Sequence, residues 1–237
     1  MVQKKNAMFR DLPILWPWEL PERLSGVVVV IDVYAATSNI AFFLARQVAQ
    51  LLLVNNESVH RVKHQHKGAL VIGEDFSLPD DFFDTGNQPH KTEGIDVSGK
   101  EIIYMSNNGT RIIDLAFRKG ARNVITTSFL NMEASVSWLR EISEHDVLLL
   151  PAGDVCTKEN PVTEDMACAE TLRDILMGKP VDWKERFREV EEFMLSYYNP
   201  EHCKLDIPII TDLNRYPVVP LCHWKRDGLI SVSAARQ

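Results

Sequence analysis

A run of four valines and an isoleucine, Val27–Ile31, is the feature that most constrains the fold of this 237-residue chain. Such a run is typical of a strand buried on both faces of a parallel sheet, because a strand with one face in water alternates apolar and polar residues. The run ends at Asp32, and Thr37 and Ser38 then open an apolar segment of helical spacing at 40–48. The pattern predicts a buried strand that carries a carboxylate at its carboxyl end and leads into a helix.

Strands and helices alternate along most of the chain. Further strands are predicted at 51–54, 69–75 and 101–105, in a segment that ends near Thr126, and at 145–150. Helices are predicted at 57–67, after the turns at 106–110 and 127–131, and at 163–177 and 183–198. Residues 206–234 suggest short strands with a turn at Asp227-Gly228, and their prolines favour edge positions. This alternation predicts an α/β fold with three layers, α/β/α, in which helices cover both faces of a largely parallel sheet with short C-terminal strands.

The first 24 residues differ from the rest in composition. Prolines and tryptophans are frequent there, as in Pro13, Trp16 and Trp18, and we expect an irregular arm that packs on the body rather than a binding loop. The remaining residues, 25–237, are predicted to form the α/β domain, with a division into two lobes near 100–160 as the alternative. A chain of this length with 45% hydrophobic residues can bury a substantial core in either arrangement.

Composition excludes several classes of function. The net charge of -7 argues against a nucleic-acid partner, which normally binds a basic surface. The longest apolar runs have the length of strands, so no membrane association is predicted, and the N-terminus lacks the apolar core of a secretion signal. The four cysteines, Cys156, Cys168, Cys203 and Cys222, form no CxxC pair and suit reduced thiols in a cytoplasmic protein. A homo-oligomer is compatible with the sequence.

Polar residues follow the carboxyl ends of the predicted strands, which is the edge where ligands bind in open α/β sheets. They are Asp32 and Thr37, Glu74, 107–110, 128–131 and 152–154. Several of these turns begin helices, whose first N–H groups favour an anion. Asp32 and Glu74 can share a phosphate site if a hard divalent ion, most simply Mg²⁺, bridges them to the phosphate. Taken singly, each acid is better explained as a helix cap or a turn former, whereas the whole set favours a common site.

A second set of metal ligands is possible at His60 and His64, which are spaced four residues apart on a predicted helix. Arg61, Lys63 and Lys67 surround them, and these cations would repel a metal ion. We therefore expect a solvated surface helix here.

Eight short blocks resemble, in order, the conserved blocks of the 2-phosphosulfolactate phosphatase (ComB) family. They are VVVIDVYAATSNI, VIGED, DTGNQP, SNNGT, TSFLN, LLLPAG, EDMACAE and YPVVP. The resemblance implies an α/β fold and a Mg²⁺-dependent phosphatase acting on a small phosphorylated acid. It places eleven residues at family-motif positions: Asp32, Glu74, Asp84, Asn87, Asn108, Gly109, Thr110, Ser128, Asn131, Asp165 and Cys168.

From these residues we expect two groups at the site. The catalytic set is Asp32, Glu74 and Asp165, of which Asp32 and Glu74 also hold the metal. The substrate-binding set is Thr37, Asn87, Asn108, Gly109, Thr110, Ser128 and Asn131. The nucleophile stays open between Asp32 and a metal-activated water. Cys168 could also attack, although we favour a small buried residue there.

The chain departs from the family pattern at two positions that usually hold arginine, where it has Ala35 and Asp75. Glu170 also replaces a usual glycine. Arginine makes charge-assisted bonds to phosphate and sulfonate, each contributing about 1.5–3 kcal/mol, so a doubly anionic substrate should bind more weakly here. Arg111 could compensate, but a helix-surface role suits it equally. The departures leave two hypotheses, a phosphatase with a changed substrate and a catalytically silent protein that binds a ligand or partner.

Overall fold

The computed structural model describes residues 9, 11–142, 146–154 and 163–235. Eight strands lie in this part of the chain: β1 Val27–Ile31, β2 Gln50–Leu53, β3 Leu70–Gly73, β4 Glu101–Met105, β5 Asn123–Thr126, β6 Val147–Pro151, β7 Pro220–Arg226 and β8 Leu229–Ala234. The described α-helices are α1 Ala36–Ala45, α2 Val59–Gln65, α3 Pro89–Glu93, α4 Gly109–Arg118, α5 Met132–Glu141, α6 Thr163–Leu176, α7 Trp183–Tyr197 and α8 Pro200–Ile210. Among these helices, none has both the length and the apolar character needed to span a membrane.

One sheet contains all eight strands in the order β3-β4-β2-β8-β7-β5-β1-β6. The pairs within β3-β4-β2 and within β5-β1-β6 are parallel, and the antiparallel hairpin β7-β8 joins these two groups. The prediction of a largely parallel α/β sheet with short C-terminal strands is confirmed. The expectation that the C-terminal strands lie at an edge is wrong, because Cys222 pairs with Val124 on one side of the hairpin and Val232 with Leu51 on the other.

The inserted hairpin reverses the direction of one half of the sheet. Three consecutive antiparallel pairings separate β2 from β5, so the group β3-β4-β2 runs opposite to β5-β1-β6. Sheets twist by about 20–25° per strand, so five steps from β4 to β1 rotate the strands by roughly 100–125°. The segments that follow β1 and β4 meet, since Gly109 lies against Asp32.

Both faces of the sheet are covered, as the valine run predicts. Val28 and Val30 pack in a layer with α1 and α4, whereas Val27, Val29 and Ile31 pack with helices α5 to α8. On this second face, α2 covers the outer strands. All five residues of β1 are fully buried, so each face contributes to the core. The short helix α3 contacts α1 and α8, which belong to opposite layers, and this position brings it to the candidate site.

Each edge of the sheet is covered by an irregular segment. Leu149 of β6 donates its N–H to the carbonyl of Pro13 and accepts the N–H of Leu15, so the N-terminal arm closes that edge. At the other edge, Asp84 accepts the N–H of Val71 through its carboxylate at 2.8 Å and donates its own N–H back to the Val71 carbonyl. Unpaired strand edges invite intermolecular pairing, and these contacts remove both of them.

The segment 206–210, expected as a strand, instead completes helix α8. Asn199 caps this helix by accepting the N–H of Glu201 at 2.9 Å, and Pro200 occupies its first turn, where the missing N–H costs nothing. Cys203, Asp206 and Ile210 are its buried residues, spaced three and four apart. The Asn-Pro start and this spacing outweigh Pro208 inside the helix.

Candidate active site

Two similar turns build the site at the carboxyl ends of β1 and β4. In the first, the Thr37 hydroxyl donates to the Asp32 carbonyl at 2.8 Å and accepts the Asp32 N–H at 3.2 Å. In the second, Thr110 makes the equivalent pair of contacts with Ser106. The predicted binding residues Thr37 and Thr110 therefore close the turns, and their hydroxyls are used by the backbone. These turns orient the first N–H groups of α1 and α4 toward one carboxylate.

That carboxylate is Asp32, which is 5% exposed and lies between the starts of the two helices. The Ala36 N–H donates to its Oδ1 at 3.2 Å, and the Gly109 N–H also bonds to it. Burial raises the pKa of Asp32, and the neighbouring Glu74 carboxylate raises it further. The two N–H donors lower it, but they do not offset these effects, and the pKa is about 6. A Cβ at Gly109 would stand 2.5 Å from Asp32 Oδ2, so only glycine allows α4 to begin this close.

Glu74 follows β3 and is held by two amides. Asn107 donates its Nδ2 to Glu74 Oε1 at 3.1 Å, and its own Oδ1 accepts the N–H of Phe76, which fixes its orientation. Asn87 also bonds to the Glu74 carboxylate. Asn39 donates to the Asn87 carbonyl at 2.6 Å and so anchors that loop from α1. Burial nevertheless leaves the pKa of Glu74 above its ordinary value.

Two further buried acids stand behind Asp32 at the start of α6. Asp165 accepts the N–H of Val33 at 2.7 Å and that of Gly153 at 3.1 Å. Its neighbour Glu164 accepts the Tyr198 hydroxyl at 2.7 Å, while its other oxygen is buried and has no partner among the described side chains. Burial, with repulsion from Asp32, raises the pKa of Asp165 well above its usual range and that of Glu164 to about 8.

Asp32 is therefore repelled by each of the carboxyl groups Glu74, Glu164 and Asp165. In the described residues, no three His, Cys, Asp or Glu side chains converge tightly enough to form a metal cage. Mg²⁺ commonly takes only one or two carboxylates together with substrate phosphate and water. The oxygen donors of Asp32 and Glu74 fit that coordination.

A cavity of about 380 Å³ opens beside these acids. Its described lining combines amides, aromatic rings and two acids: Tyr34, Ala35, Glu74, Phe76, Asn87, Gln88, Asn107, Asn108, Asp154, Tyr197, Tyr198, Asn199 and His202. Of the predicted site residues, Glu74, Asn87 and Asn108 line this cavity directly. Asp32, Gly109 and Asp165 do not belong to this lining.

Ser128 and Asn131 are not brought to the cavity. They form a capping pair in which the Ser128 N–H donates to Asn131 Oδ1 at 2.8 Å, and Asn131 Nδ2 donates to the carbonyls of Thr126 and Val218. Both are fully buried, so they tie the segment before β7 to the end of β5. Their role here is to hold the hairpin in the middle of the sheet.

The remaining candidate residues that the structure describes do not line the cavity. Cys168 is fully buried in the core between α6 and the sheet, and burial raises the pKa of its thiol well above the ordinary value. His60 and His64 are exposed on α2. Asp84 covers the edge of β3. Cys156 and the polar loop around it lie outside the described residues.

The two positions where the family pattern has arginine, Ala35 and Asp75, have different surroundings. Ala35 is 4% exposed and lines the cavity without any polar group. Asp75 pairs with Arg111, whose Nη2 lies 2.6 Å from its Oδ2. Burial raises the pKa of Asp75, but hydrogen bonds from Ser77 and the Arg111 guanidinium outweigh burial and leave that pKa lowered. Arg111 is therefore committed to a protein carboxylate.

Sequence reasoning missed the aromatic side of the cavity. Tyr197 and Tyr198 end α7, and Tyr34 follows β1, where its hydroxyl donates to the buried Asp206 of α8 at 2.9 Å. Asp206 also accepts the N–H of His90, so one carboxylate joins α8, α3 and the loop after β1. The paired tyrosines after an otherwise charged amphipathic helix were the available signal.

Comparison with known proteins identifies the family of this chain. The family model for 2-phosphosulpholactate phosphatase matches residues 15–206. A relative from Carboxydothermus hydrogenoformans, named probable 2-phosphosulfolactate phosphatase, is 33% identical over 93% of this chain and 96% of its own length. Relatives of the same name from Thermoplasma acidophilum and Clostridium acetobutylicum are 30% and 35% identical, over 69% and 64% of this chain and 71% and 63% of their own lengths. The resemblance is thereby confirmed, and the chain belongs to the 2-phosphosulfolactate phosphatase family.

Proposed function

We propose that this protein is a Mg²⁺-dependent phosphatase that releases inorganic phosphate from a small phosphorylated compound. The observation that carries the proposal is the arrangement around Asp32, where two helices begin at one buried carboxylate with Glu74 beside it. A carboxylate pair of this kind is suited to a divalent ion that bridges it to a phosphate ester. The family name supports the reaction class and suggests a phosphorylated acid as the substrate.

Mg²⁺, held by Asp32 and Glu74, would supply charge neutralisation for the phosphate and activation of a water molecule. The chain's own residues have separate tasks. Asn107 and Asn87 fix the Glu74 carboxylate, while the N–H groups of Ala36 and Gly109 fix that of Asp32. In the metal-free protein the Asp32 pKa of about 6 leaves this carboxylate mostly ionised at neutral pH, and therefore available to a divalent ion.

Glu164 and Asp165 stand further from solvent and serve as positioning residues. Asp165 holds the backbone at Val33, the residue after Asp32, through a 2.7 Å bond. Glu164 accepts from Tyr198, which lines the cavity. Through these contacts α6 fixes both the acidic end and the aromatic side of the site.

The test is release of inorganic phosphate from a panel of phosphate monoesters, including phosphorylated hydroxy acids, with Mg²⁺ and with EDTA. We expect turnover that requires Mg²⁺ and that Asp32→Asn and Glu74→Gln reduce by about 100-fold or more, as loss of preorganised charge does in other enzymes. Asp212→Asn, at an exposed residue in the turn after α8, is the matched control and should keep full activity. Absence of turnover on every ester by well-folded protein would contradict the proposal.

The alternative from the sequence, a catalytically silent binding protein, rests on the replaced arginines at Ala35 and Asp75. Calorimetry with Mg²⁺ helps to separate the two hypotheses. Binding that Asp32→Asn and Glu74→Gln each abolish favours the enzyme, whereas a folded protein that binds no Mg²⁺ and turns over no ester favours the silent protein.

A further inference from the structure

The two carboxylates that would hold Mg²⁺ follow strands that are not neighbours in the sheet. Asp32 follows β1 and Glu74 follows β3, and β4, β2, β8, β7 and β5 lie between these two strands. Hydrogen bonds between neighbouring strands therefore do not fix the distance from Asp32 to Glu74. Contacts among the segments that follow the strands have to fix it, and the bond from Gly109 to Asp32 is one of these contacts.

Asp206 of α8 is placed to supply another such contact. It is fully buried, and hydrogen-bonding groups from two separate segments meet its carboxylate. The Tyr34 hydroxyl donates to Oδ2 at 2.9 Å, while the N–H and the ring Nδ1 of His90 lie 2.7 and 2.8 Å from Oδ1. A buried carboxylate holds its donors firmly, because a donor that leaves exposes an uncompensated buried charge. Asp206 therefore fixes Tyr34 and His90 relative to each other.

Tyr34 belongs to the segment of Asp32, two residues further along the chain. Its ring lines the cavity beside Ala35 and packs edge to face on Tyr198, with ring centroids 4.9 Å apart. The Ala36 N–H donates back to the Asp32 carboxylate, so Tyr34 lies inside the turn that this bond closes. A shift of Tyr34 would therefore displace the turn that orients Asp32.

His90 belongs to the segment that holds Glu74. Asn87, three residues earlier, bonds to the Glu74 carboxylate, and Gln88 next to it lines the cavity. Both lead directly into α3, whose first turn contains His90. By anchoring this turn, Asp206 fixes the end of the segment that brings Asn87 to Glu74.

We infer that Asp206 is a positioning residue for the metal site. It holds the segment of Asp32 through Tyr34 and the segment of Glu74 through His90, so that both carboxylates can face one Mg²⁺ ion. The inference rests on the proposed function, because it assigns to Asp206 the geometry that Mg²⁺ binding requires. Asp206 does not belong to the lining of the cavity, so its effect passes through its two partners.

Calorimetry with Mg²⁺ alone tests the inference without turnover. Tyr34→Phe keeps the ring and removes the hydroxyl, whereas Asp206→Asn keeps the volume and replaces one acceptor oxygen by an NH₂ donor. We expect each variant to weaken Mg²⁺ binding by about tenfold, the lower end of the range for residues that orient metal ligands. Ser135→Ala, which removes a buried hydroxyl of α5 that bonds to Thr127 at 2.9 Å, is the matched control and should keep the parent affinity.

The double variant separates positioning from general destabilisation. Affinities are measured well below the melting temperature of each variant, so loss of folded protein does not enter them. Because the Tyr34 hydroxyl acts through Asp206, adding Tyr34→Phe to Asp206→Asn should weaken Mg²⁺ binding further by less than about threefold.

Parent-like Mg²⁺ affinity in both single variants would overturn the inference and leave the phosphatase proposal intact. Two independent losses that multiply in the double variant would do the same, since Tyr34 would then act without Asp206. Absence of Mg²⁺ binding by the folded parent protein would instead contradict the Mg²⁺-dependent function itself, and the inference with it.

Discussion

Substitution of Gly109 by alanine tests the geometry of the site most directly. A Cβ at this position would lie 2.5 Å from Asp32 Oδ2 and 2.4 Å from the Cβ of Ala36. Carbon atoms prefer separations of about 3.5–4.0 Å, so the starts of α1 and α4 must move apart by roughly 1 Å or more. Overpacking of this kind costs about 1–3 kcal/mol of unfolding free energy.

The same movement removes the Gly109 N–H from Asp32, because the donor belongs to the displaced residue. A displacement of about 1 Å at a catalytic group can lower the rate by about 100-fold. We therefore expect Gly109→Ala to lose phosphatase activity by about that factor and to melt roughly 2–12 °C lower, given about 2–4 °C per kcal/mol for a domain of this size. Phosphate release and calorimetric melting measure the two effects.

Gly94→Ala is the matched control for this substitution. Gly94 ends α3 with a φ of -74°, and an added Cβ there meets its nearest atoms at 3.4 Å. That variant should stay within about 0.5 kcal/mol of the parent protein and keep its activity. If Gly109→Ala matched Gly94→Ala in both activity and melting temperature, the close approach of α4 to Asp32 would be refuted.

Three further predictions concern charge. Metal-free Asp32→Asn should be more stable than the parent at pH 8 by up to about 3 kcal/mol, because raising the Asp32 pKa from 3.8 to about 6 penalises the ionised folded state. The difference in melting temperature should vanish near pH 4, where Asp32 is protonated in the folded protein, and an advantage that persists there would contradict it. Mg²⁺ affinity, measured by calorimetry, should rise as pH increases through about 6, since binding needs the ionised carboxylate; a flat profile would oppose Asp32 as a ligand. Asp75→Asn should cost about 1–2 kcal/mol at pH 7 in denaturant unfolding. Its native pKa is lowered, so that difference should be lost as pH falls below about 4.

The local parts of the fold could be predicted because local sequence determines them. The valine run has no polar residue on either side, which leaves burial between two layers as its stable environment. The Thr37 and Thr110 hydroxyls close turns next to their own strands, so their positions follow from spacing alone. The Asp227-Gly228 turn likewise defines its hairpin without help from distant residues.

The order of the strands could not be predicted in the same way. Each half of the sheet is an ordinary parallel unit, and nothing local to β1 or β4 specifies that a C-terminal hairpin separates them. The hairpin is fixed by long-range bonds, such as that from Asn131 to the Val218 carbonyl, 87 residues away. Ser128 and Asn131 were expected at the phosphate because they follow a strand, yet their side chains hold this connection instead.

The candidate site shows the same division. Asp32 and Glu74 could be selected from sequence because each stands at the carboxyl end of a predicted strand, where ligands bind in open α/β sheets. The aromatic wall could not, because Tyr34, Tyr197 and Tyr198 come together through Asp206 and Glu164, two buried acids whose partners are distant in the chain. Pairing between Asp75 and Arg111 was equally hidden, since either residue alone suggests a different role.

The acidic cluster itself argues for a bound cation. Asp32, Glu74, Glu164 and Asp165 receive hydrogen bonds from amides, N–H groups and a phenol, yet the pKa of each stays above its ordinary value. Neutral donors therefore do not offset the burial of these acids, and the described lining of the cavity contributes no arginine or lysine. A divalent ion at Asp32 and Glu74 would lower the electrostatic free energy of the whole cluster, because Glu74, Glu164 and Asp165 each repel Asp32. Under the proposed function, the ion that prepares the phosphate for attack would also stabilise the folded site, so that protein stability and catalysis would depend on the same two carboxylates.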